Sequence, residues 1–358
     1  MKDKLTIVLI TFLILSLITL SIYVITNKES FLSEIPEILM DNPDITSRIT
    51  LTPSPQIHQG HPSICSMTNG TYAMVYGHGN GIYITLSNNL TNFSNGQHKI
   101  NSFRQPDIAC FNHSLWITLS NRISGTIELW NCSENKDVTN SSNWMKVSTL
   151  IHHENISNVF NGDPIDSSLY MFDSKVNGHQ FWVECLDRNG TSEDNDEHRY
   201  IFYSDEPTTN NWSIGNNGEP VLTTMIADKG NWPVDALYVP EAQSWIIFNN
   251  QNGNNSKPDI YYAYTSDINT TWTTTWHKLI PNNTSNYNGV LEPDVIRIGD
   301  TIYVYYSYIL GETDMIAGIT TFNIHGFFIP RITNLFIVSV LYIITIIALI
   351  IICTREVK

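Results

Sequence analysis

The sequence predicts an all-β fold, a five-bladed β-propeller ectodomain flanked by N- and C-terminal transmembrane helices. Three observations support this fold class. A motif that starts at a proline and continues into alternating strands returns five times, and segments rich in Tyr, Trp, Ile and Val alternate with Gly, Asn and Asp turns. An uncharged apolar segment also lies near each end of the chain. A β-sandwich shares the strand pattern but would not repeat a whole four-stranded unit, so the repeats favour a propeller.

Each repeat is expected to form one blade. The repeats begin at His61-Pro62, Gln105-Pro106-Asp107, Asp163-Pro164, Trp232-Pro233-Val234-Asp235 and Glu292-Pro293-Asp294. The fifth repeat has no obvious fourth strand, and the alternating segment 47–53 (SRITLTP) is expected to supply it and close the ring. Six blades are the alternative, if a divergent repeat lies near the acidic insertion at 192–197.

The two apolar segments are predicted to span a membrane. Residues 5–26 and 332–353 carry no charge, and each is about 33 Å long as a helix, enough to cross a hydrocarbon core of roughly 30 Å. Flanking lysines and arginines place 1–4 and 354–358 in the cytoplasm. Residues 27–42 then form a linker, 43–323 the ectodomain and 324–331 a juxtamembrane segment. The first apolar segment is alternatively a cleaved signal peptide, but its length favours a signal anchor.

Charge and sequons agree with an ectodomain that is extracellular or lumenal, at the surface of a cell or a virion. The formal net charge of −15 argues against a nucleic-acid partner. Thirteen N-x-[ST] sequons lie between the apolar segments and predict a glycoprotein, although a chain rich in Asn also contains sequons by chance. The predicted glycosylation sites are Asn69, Asn89, Asn92, Asn112, Asn131, Asn140, Asn155, Asn189, Asn211, Asn254, Asn269, Asn282 and Asn283.

The cysteines permit two disulfides in the predicted ectodomain. Cys65, Cys110, Cys132 and Cys185 allow three pairings, among which the sequence alone does not choose. Cys65 and Cys110 hold similar places in adjacent repeats, so a bridge between blades is one possibility. Since no Cys or His spacing is typical of a zinc site, neither a metal nor a cofactor is predicted.

The repeats resemble family 43 glycoside hydrolases and their five-bladed relatives. The first repeat, HPSICSMTNGTYAMVYG, resembles their opening Asp-Pro blade, and Gln105-Pro106-Asp107 is similar to their Ala-Pro-Asp start. Asp163-Pro164-Ile165 is similar to their Ile-Asp-Pro blade, while Asn231-Trp232-Pro233 falls where they carry Glu-Gly-Pro. The resemblance implies a base, an acid and a modulating carboxyl group around the axis. Carried over, the base position is His61, the modulator is Asp163, and the acid position is Asn231, which cannot donate a proton at neutral pH.

Other side chains are candidates for a sugar site. The predicted catalytic set is Asp163, Glu184 and His61, in which Glu184 (or Glu292) would replace the missing acid. Carboxyl groups that start inner strands, and aromatic rings that could stack on sugars, form the predicted substrate-binding set. This set is Asp107, Trp182, Trp232, Asp235, Glu292, Asp294 and His78. The alternative for each is a turn cap, a hydrogen bond between blades or blade packing.

A second, weaker resemblance is to sialidases with Asp-box repeats. Phe103-Arg104-Gln105-Pro106 resembles their Phe-Arg-Ile-Pro motif, and the segments 204–212 and 264–272 resemble degenerate Asp-box turns. A sialidase needs three arginines for the substrate carboxylate. Arg104, Arg199 and Arg297 lie in different repeats, but no motif supports the last two.

The sequence therefore predicts a membrane-anchored surface glycoprotein whose glycosidase-like propeller binds carbohydrate or a glycoconjugate with little or no hydrolysis. One alternative is an active extracellular glycoside hydrolase with a displaced acid. The others are a sialidase-like enzyme and a purely structural surface glycoprotein.

Overall fold

The computed structural model of the chain describes residues 44–49, 51, 61–79, 81–93, 96–101, 103–121, 123–152, 163–188, 198–210, 212–222, 234–252, 258–272, 276–280, 290–310 and 314–323. Apart from Asn323, these residues lie in one unit that spans Asn42–Phe322. They form five four-stranded sheets, which are the five blades.

Four of the sheets are antiparallel meanders with their strands in chain order. Blade 1 contains β2 (Ser63–Ser66), β3 (Tyr72–His78), β4 (Gly81–Ser87) and β5 (Gln97–Asn101). Blade 2 contains β6 (Arg104–Phe111), β7 (Ser114–Asn121), β8 (Thr126–Ser133) and β9 (Met145–His152). Blade 3 contains β10 (Asp163–Val176), β11 (His179–Arg188), β12 (His198–Ser204) and β13 (Ser213–Ile214). Blade 4 contains β14 (Val234–Val239), β15 (Ser244–Asn252), β16 (Pro258–Thr265) and β17 (His277–Ile280).

Blade 5 joins the two ends of the fold. It contains β18 (Val290–Ile298), β19 (Thr301–Leu310), β20 (Asp314–Asn323) and the N-terminal strand β1 (Asp44–Ile49), in the order β1-β20-β19-β18. β1 pairs antiparallel with β20, with Asp44 opposite Thr321 and Ile49 opposite Ala317. The N-terminal segment therefore supplies the missing fourth strand as the sequence predicts, although the strand begins three residues earlier than expected.

The blades pack through apolar cores that lie between neighbouring sheets. β7 shows the pattern: Leu115, Ile117 and Leu119 belong to the core shared with blade 1, whereas Trp116 belongs to the core shared with blade 3. Successive side chains of a strand point to opposite faces, so a strand buried on both faces must be apolar on both. The burial of each large apolar side chain stabilises the folded state by about 1.5–3 kcal/mol. These cores therefore hold neighbouring blades together.

A disulfide adds a covalent link between blades 1 and 2. Cys65 on β2 and Cys110 on β6 are bonded, with their Cα atoms 5.7 Å apart. This is the inter-blade bridge that the sequence left as one possibility. Cys132 and Cys185 are buried free thiols.

The predicted membrane segments, the linker at 27–42 and the juxtamembrane segment lie outside the described residues. Within the residues that are described, no helix is long and apolar enough to cross a membrane.

Candidate functional site

The first strands of all five blades meet at a small, partly open pocket. Each blade contributes the start of its inner strand, so the pocket lies where the five repeats converge. Its lining residues are His61, Pro62, Ser63, Pro106, Asp107, Asp166, Ser167, Ser168, Asp235, Glu292, Pro293 and Asp294.

One position of the repeat supplies a ring of hydrogen-bond acceptors, here called the acceptor ring. Its members are Ser63, Asp107, Ser168, Asp235 and Asp294, one from each inner strand. Four of them accept a backbone N–H from the next blade, and the donor is the residue that follows the ring member of that blade. These hydrogen bonds run from Ile108 N to Ser63 Oγ at 3.0 Å, Leu169 N to Asp107 Oδ2 at 2.6 Å, Val295 N to Asp235 Oδ2 at 2.6 Å and Ile64 N to Asp294 Oδ2 at 3.0 Å. The ring therefore fastens four of the five neighbouring pairs of blades: 1 to 2, 2 to 3, 4 to 5 and 5 to 1.

The acceptor-ring carboxyl groups are buried close to one another. Burial raises the pKa of Asp107 to about 6, although hydrogen bonds from Ser63 and from backbone N–H groups oppose the rise. Burial and then the neighbouring Asp294 carboxyl raise the pKa of Asp235 well above its usual range, and burial and then Asp107 do the same for Asp294. These groups are more basic than exposed aspartates mainly because burial disfavours the charged form, and for Asp235 and Asp294 also because a neighbouring carboxylate repels it.

A second position, two residues before the acceptor ring, carries the side chains that differ between blades. His61, Gln105, Asp166 and Glu292 occupy it, and all four are left-handed, with φ of 35°, 53°, 50° and 56°. Irregular register follows this turn in β6, β10 and β18. Left-handed backbone is unfavourable for residues with a Cβ, and its recurrence at one position indicates a geometry imposed by the fold at the pocket.

Three of these side chains form what we call the axial triad: His61, Asp166 and Glu292. His61 Nε2 lies 3.5 Å from Asp166 Oδ1 and 3.4 Å from Glu292 Oε1. The His61 backbone N–H also donates to Glu292 Oε2 at 3.0 Å. An imidazole thus faces two carboxyl groups that come from two other blades.

Glu292 is a buried acid of the axial triad with a raised pKa. Burial raises its pKa to about 8, while the N–H of His61 partly opposes the rise. Its backbone N–H donates to Asn250 Oδ1 at 3.1 Å, which fixes the turn. Glu292 therefore holds a proton at neutral pH.

The structure brings together five residues of the predicted site. His61, Asp107, Asp235, Glu292 and Asp294 all line the pocket. Asp163 is the first residue of β10, opposite Arg188, and its side chain lies outside the described residues, as does the whole of Trp232.

The sequence missed Asp166, which holds in blade 3 the place that His61 holds in blade 1. Asp163-Pro164 matched the expected Asp-Pro motif, but the inner turn comes three residues later. The spacing to the acceptor ring would have found it, because Asp166 precedes Ser168 as His61 precedes Ser63 and Glu292 precedes Asp294.

Three predicted residues do not line the pocket. Glu184 on β11 is fully buried, and both of its carboxyl oxygens accept from Arg199 Nη1 at 2.5 Å. Burial raises the pKa of Glu184 to about 7, against the opposing effect of Arg199. Trp182 is buried in the core between blades 3 and 4 and donates from Nε1 to the Val176 carbonyl at 3.1 Å. His78 ends β3 with its ring edge-on to Tyr83.

The sequons are partly described. Asn69, Asn89, Asn92, Asn112 and Asn140 are exposed, while Asn131 and Asn269 are half-buried. Asn269 Oδ1 accepts the backbone N–H of Asn216 at 2.7 Å. The other six sequons lie outside the described residues. In the described ranges, no set of three His, Cys, Asp or Glu side chains could hold a metal ion.

Comparison with known proteins finds the fold but no close relative. No family model matches the sequence, and no curated protein matches it. A solved glycoside hydrolase is 13% identical, with a TM-score of 0.59 over 83% of this chain and 94% of that one. A thermostable family-43 glycoside hydrolase is also 13% identical, with a TM-score of 0.50 over 73% of this chain and 88% of that one.

An endo-arabinase from Bacteroides thetaiotaomicron is similar in the same way. It is 10% identical, with a TM-score of 0.53 over 78% of this chain and 96% of that one. At these identities the likeness shows the fold alone. The chain has the β-propeller fold of family-43-type glycoside hydrolases, as the repeats had indicated.

Proposed function

We propose that the pocket at the start of the five inner strands binds carbohydrate, with little or no hydrolysis, on a membrane-anchored surface glycoprotein. The observation that carries the proposal is the convergence of the axial triad on one pocket that all five inner strands line. Carboxyl and imidazole groups accept and donate hydrogen bonds to sugar hydroxyls, and a concave site with a few convergent polar groups is typical of a small-ligand site.

Two features argue against hydrolysis by the mechanism that the resemblance implies. The position of the base holds His61, and residues 231–233 (Asn-Trp-Pro) contain no carboxyl group that could act as the acid. Glu184, the displaced acid that the sequence suggested, is committed to Arg199. Proton transfer to a leaving group therefore has no evident donor at that position.

An active glycoside hydrolase is the second candidate, and one observation favours it. Glu292 holds a proton at neutral pH and lies beside His61 and Asp166, so an acid and a second carboxyl group face the same space. Such a pair is what protonation of a glycosidic oxygen and activation of water require. In this candidate Glu292 is the acid and Asp166, or His61, is the base.

A binding assay combined with a turnover assay separates the two candidates. The purified full-length chain is applied to a glycan array and incubated with aryl glycosides. We expect glycan binding that Asp166→Asn weakens at least about tenfold, with no turnover above background. Turnover that Glu292→Gln abolishes would establish the hydrolase instead, and an absence of binding to every glycan would contradict both the proposal and its alternative.

Anchoring and glycosylation belong to the proposal and rest on the two apolar segments and the exposed sequons. We expect the chain expressed in eukaryotic cells to sediment with membranes after carbonate washing. We also expect it to gain mobility in gels after enzymatic removal of N-glycans. Asn112→Gln, at an exposed turn, should remove one glycan. If enzymatic deglycosylation leaves the mobility of the unsubstituted chain unchanged, the chain is not glycosylated.

A further inference from the structure

Acidic groups dominate the titratable lining of the pocket. Its titratable lining groups are five carboxylic acids and one imidazole, and no lysine or arginine among the described residues lines it. Arg199 comes near, since its Nη1 lies 3.4 Å from the Asp166 carbonyl, but the same nitrogen donates to Glu184. A ligand in this pocket therefore meets a field that carboxyl groups dominate.

The five carboxyl groups have two different roles. Asp107, Asp235 and Asp294 accept backbone N–H groups from the next blade and belong to the acceptor ring. Asp166 and Glu292 instead face the imidazole of His61, at 3.5 and 3.4 Å from Nε2. These distances exceed the roughly 2.7–3.2 Å of a well-formed N–H···O bond. The two carboxyl groups thus face the imidazole of His61 without forming a short hydrogen bond to it.

An independent feature of the same pocket points to a ligand. Ser167 lies between Asp166 and Ser168, is 4% exposed and lines the cavity. Its hydroxyl has no hydrogen-bond partner among the described residues. A buried hydroxyl left unpaired costs about 1–3 kcal/mol, and a polar group of a ligand in the cavity would supply the missing partner.

We infer that this pocket selects sugars that carry a free amine, of the hexosamine class, over neutral sugars and excludes sugars that carry a carboxylate. The inference rests on the proposed carbohydrate binding and narrows it. An ammonium group beside Asp166 and Glu292 forms charge-assisted hydrogen bonds, and Ser167 bonds a neighbouring hydroxyl. A carboxylate in the same place is repelled by the acids that surround it.

The same charge distribution separates this pocket from that of a sialidase. A sialidase binds its substrate carboxylate through arginines. Arg199 is paired with the buried Glu184, and Arg297 is paired with Glu241 at the surface. Neither guanidinium lines the pocket.

Binding of an amine has a second consequence, the release of a proton. Because burial raises the pKa of Glu292 to about 8, this carboxyl group is protonated at pH 7. An ammonium ion beside it favours the carboxylate form, so the proton leaves Glu292 for water as the ion pair forms. His61, Asp166 and the three acceptor-ring aspartates line the same pocket. A neutral sugar has no such effect.

Calorimetric titration of the full-length chain tests the inference with matched sets of methyl glycosides. Each set has one ring configuration, gluco or galacto, with an amine, a hydroxyl or a carboxylate form. Titration at pH 7 in two buffers of different ionisation enthalpy gives the affinity and the number of protons released. We expect the amine to bind about tenfold more tightly than the neutral parent, with proton release, and the uronate not to bind.

The outcomes separate this inference from the proposed function. Equal affinity for amine and neutral sugars, or a preference for the uronate, overturns the inference and leaves carbohydrate binding intact. An absence of binding by every glycoside overturns both.

Variants locate the preference in the pocket. Glu292→Gln keeps the shape of the side chain and is expected to abolish both the preference for the amine and the proton release. Glu241→Gln, which changes an exposed carboxyl group paired with Arg297, is the matched control and should leave both unchanged.

Ser167→Ala provides a second measurement if Glu292→Gln fails to fold. This variant should bind the amine and the neutral sugar more weakly by a similar factor, so the preference for the amine is kept. An affinity that Ser167→Ala leaves unchanged for both sugars would overturn the inference, because the ligand would then not occupy this cavity.

Discussion

Glu292 binds its proton more tightly in the folded chain than an exposed glutamate does. Burial is the main cause, and it raises the pKa from 4.5 to about 8. A group whose folded pKa is raised stabilises the fold fully below its unfolded pKa, and this stabilisation is lost as the pH rises through the folded pKa. The relevant window for Glu292 therefore runs from about pH 4.5 to about pH 8.

We expect the free energy of unfolding to fall as the pH rises from 5 to 8.5. Each tenfold change in proton affinity corresponds to about 1.4 kcal/mol, and Glu184 and Asp107 act in the same direction. Glu292→Gln should reduce the slope, and Asp173→Asn, at an exposed position, should not. Denaturant midpoints at three pH values measure the effect. A midpoint that rises with pH would contradict it.

The buried pair of Glu184 and Arg199 gives a prediction of a different kind. Arg199→Met leaves the buried Glu184 carboxyl group without its partner, so above the Glu184 pKa of about 7 we expect a loss of about 3–5 kcal/mol in the free energy of unfolding. Replacing both residues by methionine should recover much of this loss. Chemical denaturation of the two variants measures it. A double variant as unstable as the single one would contradict this prediction, because the loss would then come from the missing ion pair and not from an unpaired charge.

At the scale of the strand, the acceptor ring joins neighbouring sheets through hydrogen bonds between their inner strands. Asp107 shows how, because it binds Ser63 Oγ of blade 1 at 2.7 Å and the Leu169 N–H of blade 3 at 2.6 Å. One side chain of β6 thus holds the inner strands on both sides of it.

Removing this side chain should loosen three blades together. We expect Asp107→Ala to lower the free energy of unfolding by about 1–3 kcal/mol, because the buried N–H of Leu169 loses its acceptor. Glu206→Ala, at an exposed turn, is the control. Thermal unfolding followed by circular dichroism measures both. A melting temperature equal to that of the unchanged chain would mean that Asp107 does not join the blades.

The disulfide between β2 and β6 joins the same two blades covalently. It closes a segment with a sequence separation of 45, so replacing Cys65 and Cys110 by alanine should cost about 2–4 kcal/mol. Denaturation in the absence of reductant compares this variant with the unchanged chain. Reductant should destabilise the unchanged chain and not the variant, and equal sensitivity in both would contradict the assignment.

The limits of sequence interpretation also appear at this scale. Blade starts and most strands could be predicted because side-chain alternation and turn residues are local signals. Asp166 was missed because the Asp163-Pro164 motif comes three residues earlier, whereas a left-handed residue and an irregular register decide which residue enters the pocket. Glu184 lies opposite Ser168 in the sheet, one strand away from the pocket, and its pairing with Arg199 depends on a contact between strands that no motif records.

At the scale of the molecule, β1 joins the N-terminal end of the propeller to its last blade. Without it, the longer strand β20 would become the edge of blade 5, and its unpaired N–H and C=O groups would be a template for association with other chains. We expect the variant without residues 44–49 to form oligomers or aggregates in size-exclusion chromatography. The same chain with β1 restored should elute as the unchanged chain does. A deletion variant that elutes unchanged and unfolds at the same temperature would show that closure does not need β1.

The pairing of β1 with β20 also sets an order of events during synthesis. β1 is among the first parts of the propeller to leave the ribosome, and its partner, Asp314–Asn323, is the last. The strand must therefore wait, unpaired, while the other blades are made, because domains form as the chain emerges from its N-terminus. Completion of blade 5 is then a single late step between distant parts of the chain, of the kind that folds slowly. A chain released before residue 314 would contain four blades and part of the fifth, and it would lack β20, the strand with which β1 pairs.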